Sequence, residues 1–239
     1  MNIVLLQAED WLGDGLAIVR DRRAVHIREV LRAAVGDSIR VGQLGGLCGR
    51  GLIAALEPAG VTLRVELCEP PPPRHRFDIV LALPRPKMLR RILRQCAEFG
   101  VANLHLINSA RVEKSYWQTP LLQPAKLKEA LLMGLERSRD TVLPTVHLHK
   151  RFRPFVEDHL PALSAGRPCW IADMGARLSL ADAPPLPAVV LIGPEGGFVP
   201  FEVELAEAMN AQRVGLGQRI LSVDTAFTAV LAQALPGSG

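Results

Sequence analysis

The chain has 239 residues, 49% of them apolar and 22% charged. That is enough for one large domain or two ordinary ones with a sizeable core, and it excludes global disorder. The formal net charge of +4 says little by itself, and no apolar run is long enough to cross a bilayer or serve as a signal peptide, since Glu9 and Asp10 follow the short apolar start at once. A soluble, cytoplasmic protein is expected. The charge is unevenly spread: residues 71–170 hold 17 Lys and Arg against 8 Asp and Glu, residues 1–70 hold 8 against 9, and residues 171–239 hold 3 against 7. A basic middle is the footprint of a polyanion partner or an ordinary solvated helical surface. Cys48, Cys68, Cys96 and Cys169 lack metal or redox spacing and read as reduced thiols.

In chain order, Arg22–Ala34 reads as an amphipathic helix. Short β-like segments follow around Ser38–Val41, Leu52–Leu56 and Val61–Leu67, separated by glycine-rich turns. Closely spaced short strands of this kind point to a small barrel. Pro70-Pro71-Pro72-Pro73 then forms a stiff spacer that can join no helix or central strand. It separates an expected domain over residues 1–70 from a second over 71–239.

After the prolines, strands and helices alternate. Phe77–Leu83 reads as a strand. Pro86–Phe99 reads as a helix with Leu89, Ile92, Leu93 and Cys96 on one face and Arg90, Arg91, Arg94 and Glu98 away from it. Strands are expected at Val101–Ile107, Pro168–Ala172, Val189–Ile192 and Gln212–Leu216. Helices are expected at Pro124–Arg137, Pro154–Leu163, Pro200–Asn210 and Asp224–Leu235, all but the last with proline near the start. Pro184-Pro185-Leu186-Pro187 reads as a loop. Such alternation predicts an α/β fold with a parallel sheet covered on both faces.

The buried strand ending at Ile192 runs into Gly193-Pro194-Glu195-Gly196-Gly197-Phe198, and a second turn reads Gly215-Leu216-Gly217-Gln218-Arg219-Ile220-Leu221. Glycines after a parallel strand let backbone approach a ligand at the carboxyl edge of the sheet. No Lys-Ser or Lys-Thr completes a phosphate loop. Ile220 stands at the third glycine position of a dinucleotide fingerprint, no G-x-S-x-G elbow occurs, and no His, Cys or carboxylate cluster has metal spacing. A nucleoside-type ligand held by main chain remains.

These motifs resemble the RsmE family of S-adenosylmethionine-dependent methyltransferases, in the SPOUT superfamily, which act on uridine N3 in 16S ribosomal RNA. The likeness rests on the two glycine turns with Glu202 between them, then Asp224-Thr225-Ala226. His26-Ile27-Arg28-Glu29-Val30-Leu31-Arg32 with Gly36-Asp37, Leu83-Pro84 with Lys87, Glu98-Phe99-Gly100-Val101, and Glu136, Ser138 and Pro144 extend it over nearly the whole chain. It implies a PUA-like RNA-binding barrel before a parallel sheet tied C-terminally as a trefoil knot. It further implies S-adenosylmethionine as cofactor, 16S ribosomal RNA or the small subunit as partner, and a homodimer through the knotted domain. By the same likeness Ile192, Gly193, Glu195, Gly196 and Gly197 form one cofactor wall and Leu216, Gly217, Ile220 and Leu221 the other. Glu195 and Arg219 are the catalytic candidates.

His26, Arg28 and Arg32 on the first helix, and Arg85, Lys87, Arg90 and Arg91 near the start of the second, are candidates for RNA contact, with a solvated surface as the competing reading. Tyr116 and Trp117, beside Lys114 and Arg111, fit either stacking on a base or core packing. Where the family reads Leu-Arg-x-Glu-Thr-Ala, this chain reads Leu221-Ser222-Val223-Asp224-Thr225-Ala226. Ser222 and Asp224 make a good helix start, by capping and by charge. Loss of the arginine leaves open a relative that methylates another RNA site, or an RNA-binding protein without catalysis.

Overall fold

The computed structural model describes residues 1–184 and 186–235, so Pro185 of the expected 184–187 loop lies outside the described residues. The chain divides into two compact units, Met1–Pro72 with Leu132–Leu143, and Pro73–Leu131 with Pro144–Gly239.

The first unit is built on a mixed six-stranded sheet of β1 (Val4–Leu6), β2 (Trp11–Gly13), β3 (Leu16–Val19), β4 (Ser38–Gln43), β5 (Cys48–Glu57) and β6 (Gly60–Glu69). The order is β1-β4-β5-β6-β3-β2, with β1 and β4 parallel and the other pairs antiparallel. The long strands alternate buried and exposed positions over much of their length, as expected where one face of an antiparallel sheet meets the core and the other meets water. Val41, Ile53, Val61 and Leu63 pack there with Val4, Leu6, Ala17 and Val19, under Ala24 and Ile27. The expected helix over Arg22–Ala34 is shorter. It runs as α1 (Arg22–Val25), capped by Asp21, whose Oδ1 accepts the Arg23 N–H, and then as a wider-turned segment His26–Val30. Arg32 ends it in the left-handed region at φ 51°.

Two ion pairs fasten this unit. The Arg23 guanidinium, 7% exposed, makes a two-pronged contact with Asp10 at 2.6 and 2.8 Å and also donates to Leu5 O and Asp21. Arg22 grips the buried carboxylate of Glu136 at 2.6 and 2.9 Å. Glu136 thereby ties the Leu132–Leu143 segment into the unit, and its carbonyl accepts from Asn2 N.

The second unit contains β7 (Phe77–Ala82), α2 (Pro86–Glu98), β8 (Asn103–Ile107), α3 (Pro124–Ser138), β9 (Thr145–His149), α4 (Phe152–Pro154), α5 (Leu160–Leu163), β10 (Cys169–Ala172), β11 (Ala188–Ile192), α6 (Pro200–Ala208), β12 (Gln212–Val214) and α7 (Val223–Ala232), with the last turns of α3 counted in the first unit. A wide-turned stretch, Phe155–His159, joins α4 to α5. All six strands are parallel in the order β12-β10-β11-β7-β8-β9. Every residue of β7 and β11 is buried, which is why β11 reads as an unbroken apolar run and β7 as one interrupted only by Asp78, whose carboxylate accepts from Asn103 Nδ2 at 3.0 Å and Arg167 Nη2 at 2.6 Å. Leu89, Ile92, Leu93 and Cys96 of α2 are fully buried. The unanticipated β9 is a half-exposed edge strand of polar composition.

After β12 the chain runs alongside the β10–β11 connection: Gly215 N–H donates to Leu178 O at 2.8 Å and Gly215 O accepts from Leu180 N at 3.0 Å. It then returns to the centre of the sheet as α7. There Leu231 O meets His75 Nε2 at 2.9 Å, Gln95 Nε2 donates to Thr228 Oγ1 at 3.1 Å, and Arg91 pairs with Asp224 at 2.7 Å.

Four of the six histidines gather on the β8–β9 edge. The rings of His105 and His147 stack with centroids 4.4 Å apart, His105 Nδ1 lies 3.2 Å from His149 Nε2, and His159 lies 5.2 Å from His149. Burial, then the neighbouring imidazoles, push His105 down to about 4, against the pull of Asp78 and with a small contribution from Arg167. His149 is lowered for the same reason, its neighbours being His159 and His147. Between pH 6.5 and about 4 the unfolded chain therefore binds protons that the fold rejects, and stability is lost as the pH falls through this range. Melting temperature is expected to drop from pH 7 to pH 5, and His105→Leu should flatten that slope. An unchanged slope in the variant would show that the stack is not its source.

Candidate functional site

The site lies at the carboxyl edge of the parallel sheet, where the chain leaves β10, β11 and β12. After Ile192 the chain turns sharply: Pro194 O accepts the Gly197 N–H at 2.8 Å and Gly197 adopts φ 71°. A Cβ on Gly193 would stand 3.0 Å from Phe198 N and 3.2 Å from two Gly197 backbone atoms, so any larger residue crowds the turn and its backbone has to give. Glu202, 3% exposed, holds the turn from behind. Its Oε2 accepts Val199 N–H at 3.0 Å, at the start of α6, and its Oε1 accepts Ala110 N–H at 2.7 Å from the loop after β8. The second wall follows β12, with Gly217 at φ 103° setting the bend.

Between the walls is a cavity of about 380 Å³, within the ordinary range for a small-molecule site. Ile192, Gly193, Glu195, Gly196, Gly197, Leu216, Arg219, Ile220 and Leu221 line it. Gly217 shapes the bend without lining the cavity. Ala172, Asp173 and Met174 at the end of β10, with Pro194, Val223 and Ala226, complete the lining. The sequence reading did not select these six, although the end of the expected Pro168–Ala172 strand was a place to look for them. Asp173 brings a carboxylate, bonded to Gly175 N–H at 3.3 Å and to Arg213 at 3.4 Å.

Charge surrounds the mouth. Glu195 pairs with Arg85 at 3.2 Å. Arg91 reaches Asp224 at the first turn of α7. Ser222 occupies the N-cap position of α7, but its hydroxyl does not cap the helix as the sequence predicts. It donates to Asp224 Oδ1 at 2.6 Å and meets Thr225 Oγ1 at 2.9 Å. The Ser222 hydroxyl first, and Arg91 as well, hold the Asp224 carboxyl below its usual range. Lys87 and Arg90 are exposed.

In the first unit, Arg28 folds back onto the β5–β6 turn, donating to Glu57 O and to Gly60 O at 2.8 Å. Arg32 leaves the helix in the left-handed conformation, so the two arginines do not share a regular helical face. His26 Nε2 is buried with no hydrogen-bond partner among the described residues. In the second unit, Tyr116 and Trp117 lie on a surface turn outside the core, and Trp117 Nε1 donates to Asn108 Oδ1 at 2.9 Å.

The model of the RNA methyltransferase domain family matches residues 70–235. The ribosomal RNA small subunit methyltransferase E of Treponema pallidum is 31% identical over 241 residues, covering 98% of this chain and 91% of that protein. Its counterpart in Synechocystis is 29% identical, covering 87% and 69%. In three dimensions the chain matches a ribosomal RNA small subunit methyltransferase E from Neisseria gonorrhoeae solved with S-adenosylmethionine bound, at a TM-score of 0.77 and 20% identity over 97% of this chain and 95% of that one. A methyltransferase from Legionella pneumophila, also solved with its bound cofactor, gives 0.75 at 19% identity over the same shares.

Proposed function

This chain belongs to the RNA methyltransferase family, in its ribosomal RNA small subunit methyltransferase E branch, and we propose that it transfers a methyl group from S-adenosylmethionine to N3 of a uridine in 16S ribosomal RNA. The observation that carries this reading is the cavity between the two glycine turns. A wall with little room for a Cβ at Gly193 lets main chain lie against a ligand, and the lining is mostly apolar with few polar groups, the make-up of a site for a flat nucleoside and a short polar tail. When bound, the cofactor supplies an electrophilic methyl group on a sulfonium.

The protein's own part is to hold the two partners in line and to manage one proton. Ile192, Gly193, Gly196 and Gly197 form one wall, and Leu216, Ile220 and Leu221 the other, with Gly217 bending the chain between them. Asp173 faces the same space as a carboxylate. Glu195 at the rim accepts the N3 proton, and Arg219, exposed at the opposite rim, stabilises the negative charge that the uracil develops. Arg85, Lys87, Arg90 and Arg91 at the start of α2, and Arg32 in the first unit, supply RNA contacts, whereas Arg28 is engaged by the Glu57 and Gly60 carbonyls and His26 Nε2 is buried, so neither is assigned one. The run of Gly215 past residues 178–180 and the return of α7 to α2 are what a trefoil knot needs. A homodimer through this unit follows from the family reading, and Ile220, 88% exposed at the cavity, is available to such a contact. No helix among the described residues is long and apolar enough to cross a membrane; the protein works with the ribosome in the cytoplasm.

The test is transfer from labelled S-adenosylmethionine to small ribosomal subunits from a strain lacking this gene, with the product nucleoside identified by mass spectrometry. Appearance of 3-methyluridine is expected. A different methylated nucleoside would overturn the N3 assignment, and cofactor binding without transfer to any RNA would favour a non-catalytic RNA-binding protein.

A further inference from the structure

The strand order β10-β11-β7-β8 sets four loops side by side along the carboxyl edge of the sheet. The loops after β10 and β11, with the turn after β12, form the cavity. The loop after β8, residues 108–118, has no role in that account, yet it is tied to the cavity wall. Its Ala110 N–H donates to Glu202, and Arg111 Nη1 donates to Gly196 O, with Gly197 O at 3.5 Å. Arg111 therefore lies against the outer side of the glycine turn that lines the cavity; a Cβ on Gly196 would meet Arg111 Cδ at 2.9 Å.

Farther along the same loop is Tyr116, the one tyrosine in the chain. Core packing does not explain it. It sits on the surface turn Lys114–Gln118, half-exposed, and among the described residues no other ring packs on it. Its hydroxyl donates to Glu113 Oε1 at 3.2 Å, which fixes the tip of the ring and leaves its faces available. The charges of Glu195 and Arg85, the pair at the cavity mouth, act on that hydroxyl. A tethered aromatic ring, a guanidinium with donors to spare and the mouth of a cofactor-sized cavity thus share one edge of the sheet. A planar, weakly polar base attached to a phosphate chain is the ligand that uses both side chains, through its π-face and its anion.

We propose that Tyr116 and Arg111 form the methyl-acceptor seat, with the Tyr116 ring stacking on the target base or its immediate neighbour and Arg111 holding the adjoining phosphate. This rests on the methyl-transfer reading and adds the side from which RNA enters. With small ribosomal subunits as acceptor, Tyr116→Ala is expected to raise the KM for RNA about 10- to 100-fold, while the calorimetric Kd for S-adenosylmethionine stays within about twofold of the parent. Tyr116→Phe, which keeps the ring, should behave as the parent does. A Tyr116→Ala protein with the parent's KM would overturn the seat and leave the methyl-transfer reading standing. If the parent itself transfers no methyl group, that reading fails, and the seat is judged by ultraviolet cross-linking of 5-bromouridine-substituted small-subunit RNA to the intact protein. A cross-link on the peptide holding Tyr116 supports the seat; cross-links confined to other peptides, or none, refute it.

Discussion

Replacing Gly193 with valine is expected to abolish S-adenosylmethionine binding, with the calorimetric Kd rising at least about 100-fold. The reason is local. A Cβ there lands 3.0–3.2 Å from Phe198 N and Gly197 backbone atoms, and backbone in a closed turn cannot swing aside as a flexible side chain does. The turn would open, and the cavity wall with it. Gly217→Val tests the opposite wall by another route, since its Cβ meets nothing within 4 Å but the residue holds φ 103°. Placing a β-branched residue there costs about 1–3 kcal/mol of backbone strain, so weakening of about 10-fold or more is expected. Full cofactor affinity in both variants would sink the assignment of this cavity.

The largest effect on stability is expected from Asp10→Ala. It would leave the Arg23 guanidinium, 7% exposed, without the carboxylate that satisfies two of its N–H groups. Removing one partner of a buried ion pair typically destabilises by about 3–5 kcal/mol, whereas replacing both with apolar residues of similar size costs much less. Asp10→Leu combined with Arg23→Met should therefore melt above Asp10→Ala, as read by circular dichroism. If the double variant melts lower, the pair contributes more by its attraction than by avoiding an orphaned charge.

Much of the second unit was legible because a central parallel strand and an amphipathic helix each leave a pattern that neighbours in sequence can carry. Ala188–Ile192 is apolar throughout and Phe77–Ala82 is apolar but for Asp78, and the face of α2 that repeats at Leu89, Ile92, Leu93 and Cys96 is buried as expected. Strand β9 escaped because its histidines are stabilised by stacking on His105, a residue some forty positions earlier. β1, β2 and β3 escaped because they are three or four residues long. Their one local signal is Gly13-Asp14-Gly15, all at positive φ, which makes the β2–β3 hairpin turn. The helix from Arg22 was overextended since nothing in its composition marks the wide turn at His26–Val30 or the left-handed Arg32.

At the site, the glycine turns announce themselves by composition, and the lining residues that flank them follow. Asp173 and Met174 did not, because they come from β10, which is brought to the cavity by pairing with β12 and β11. Ser222 shows the limit of capping rules: it stands at the N-cap position, yet its hydroxyl donates to the Asp224 carboxylate and accepts no N–H of the helix.

The return of Leu132–Leu143 to the first unit sets a schedule for biosynthesis. Residues 1–72 emerge from the translating ribosome with all six strands of their sheet, but the Glu136 partner of Arg22 and the Thr141 methyl that packs over Gly42 arrive about seventy residues later. During that interval β7, α2 and β8 have already been made. A nascent chain paused between residues 72 and 131 exposes the surface meant for the returning segment, and a fragment cut at Pro72 carries the same open flank. The complete first unit is a product of late synthesis, and a probe for its maturation belongs at residue 143.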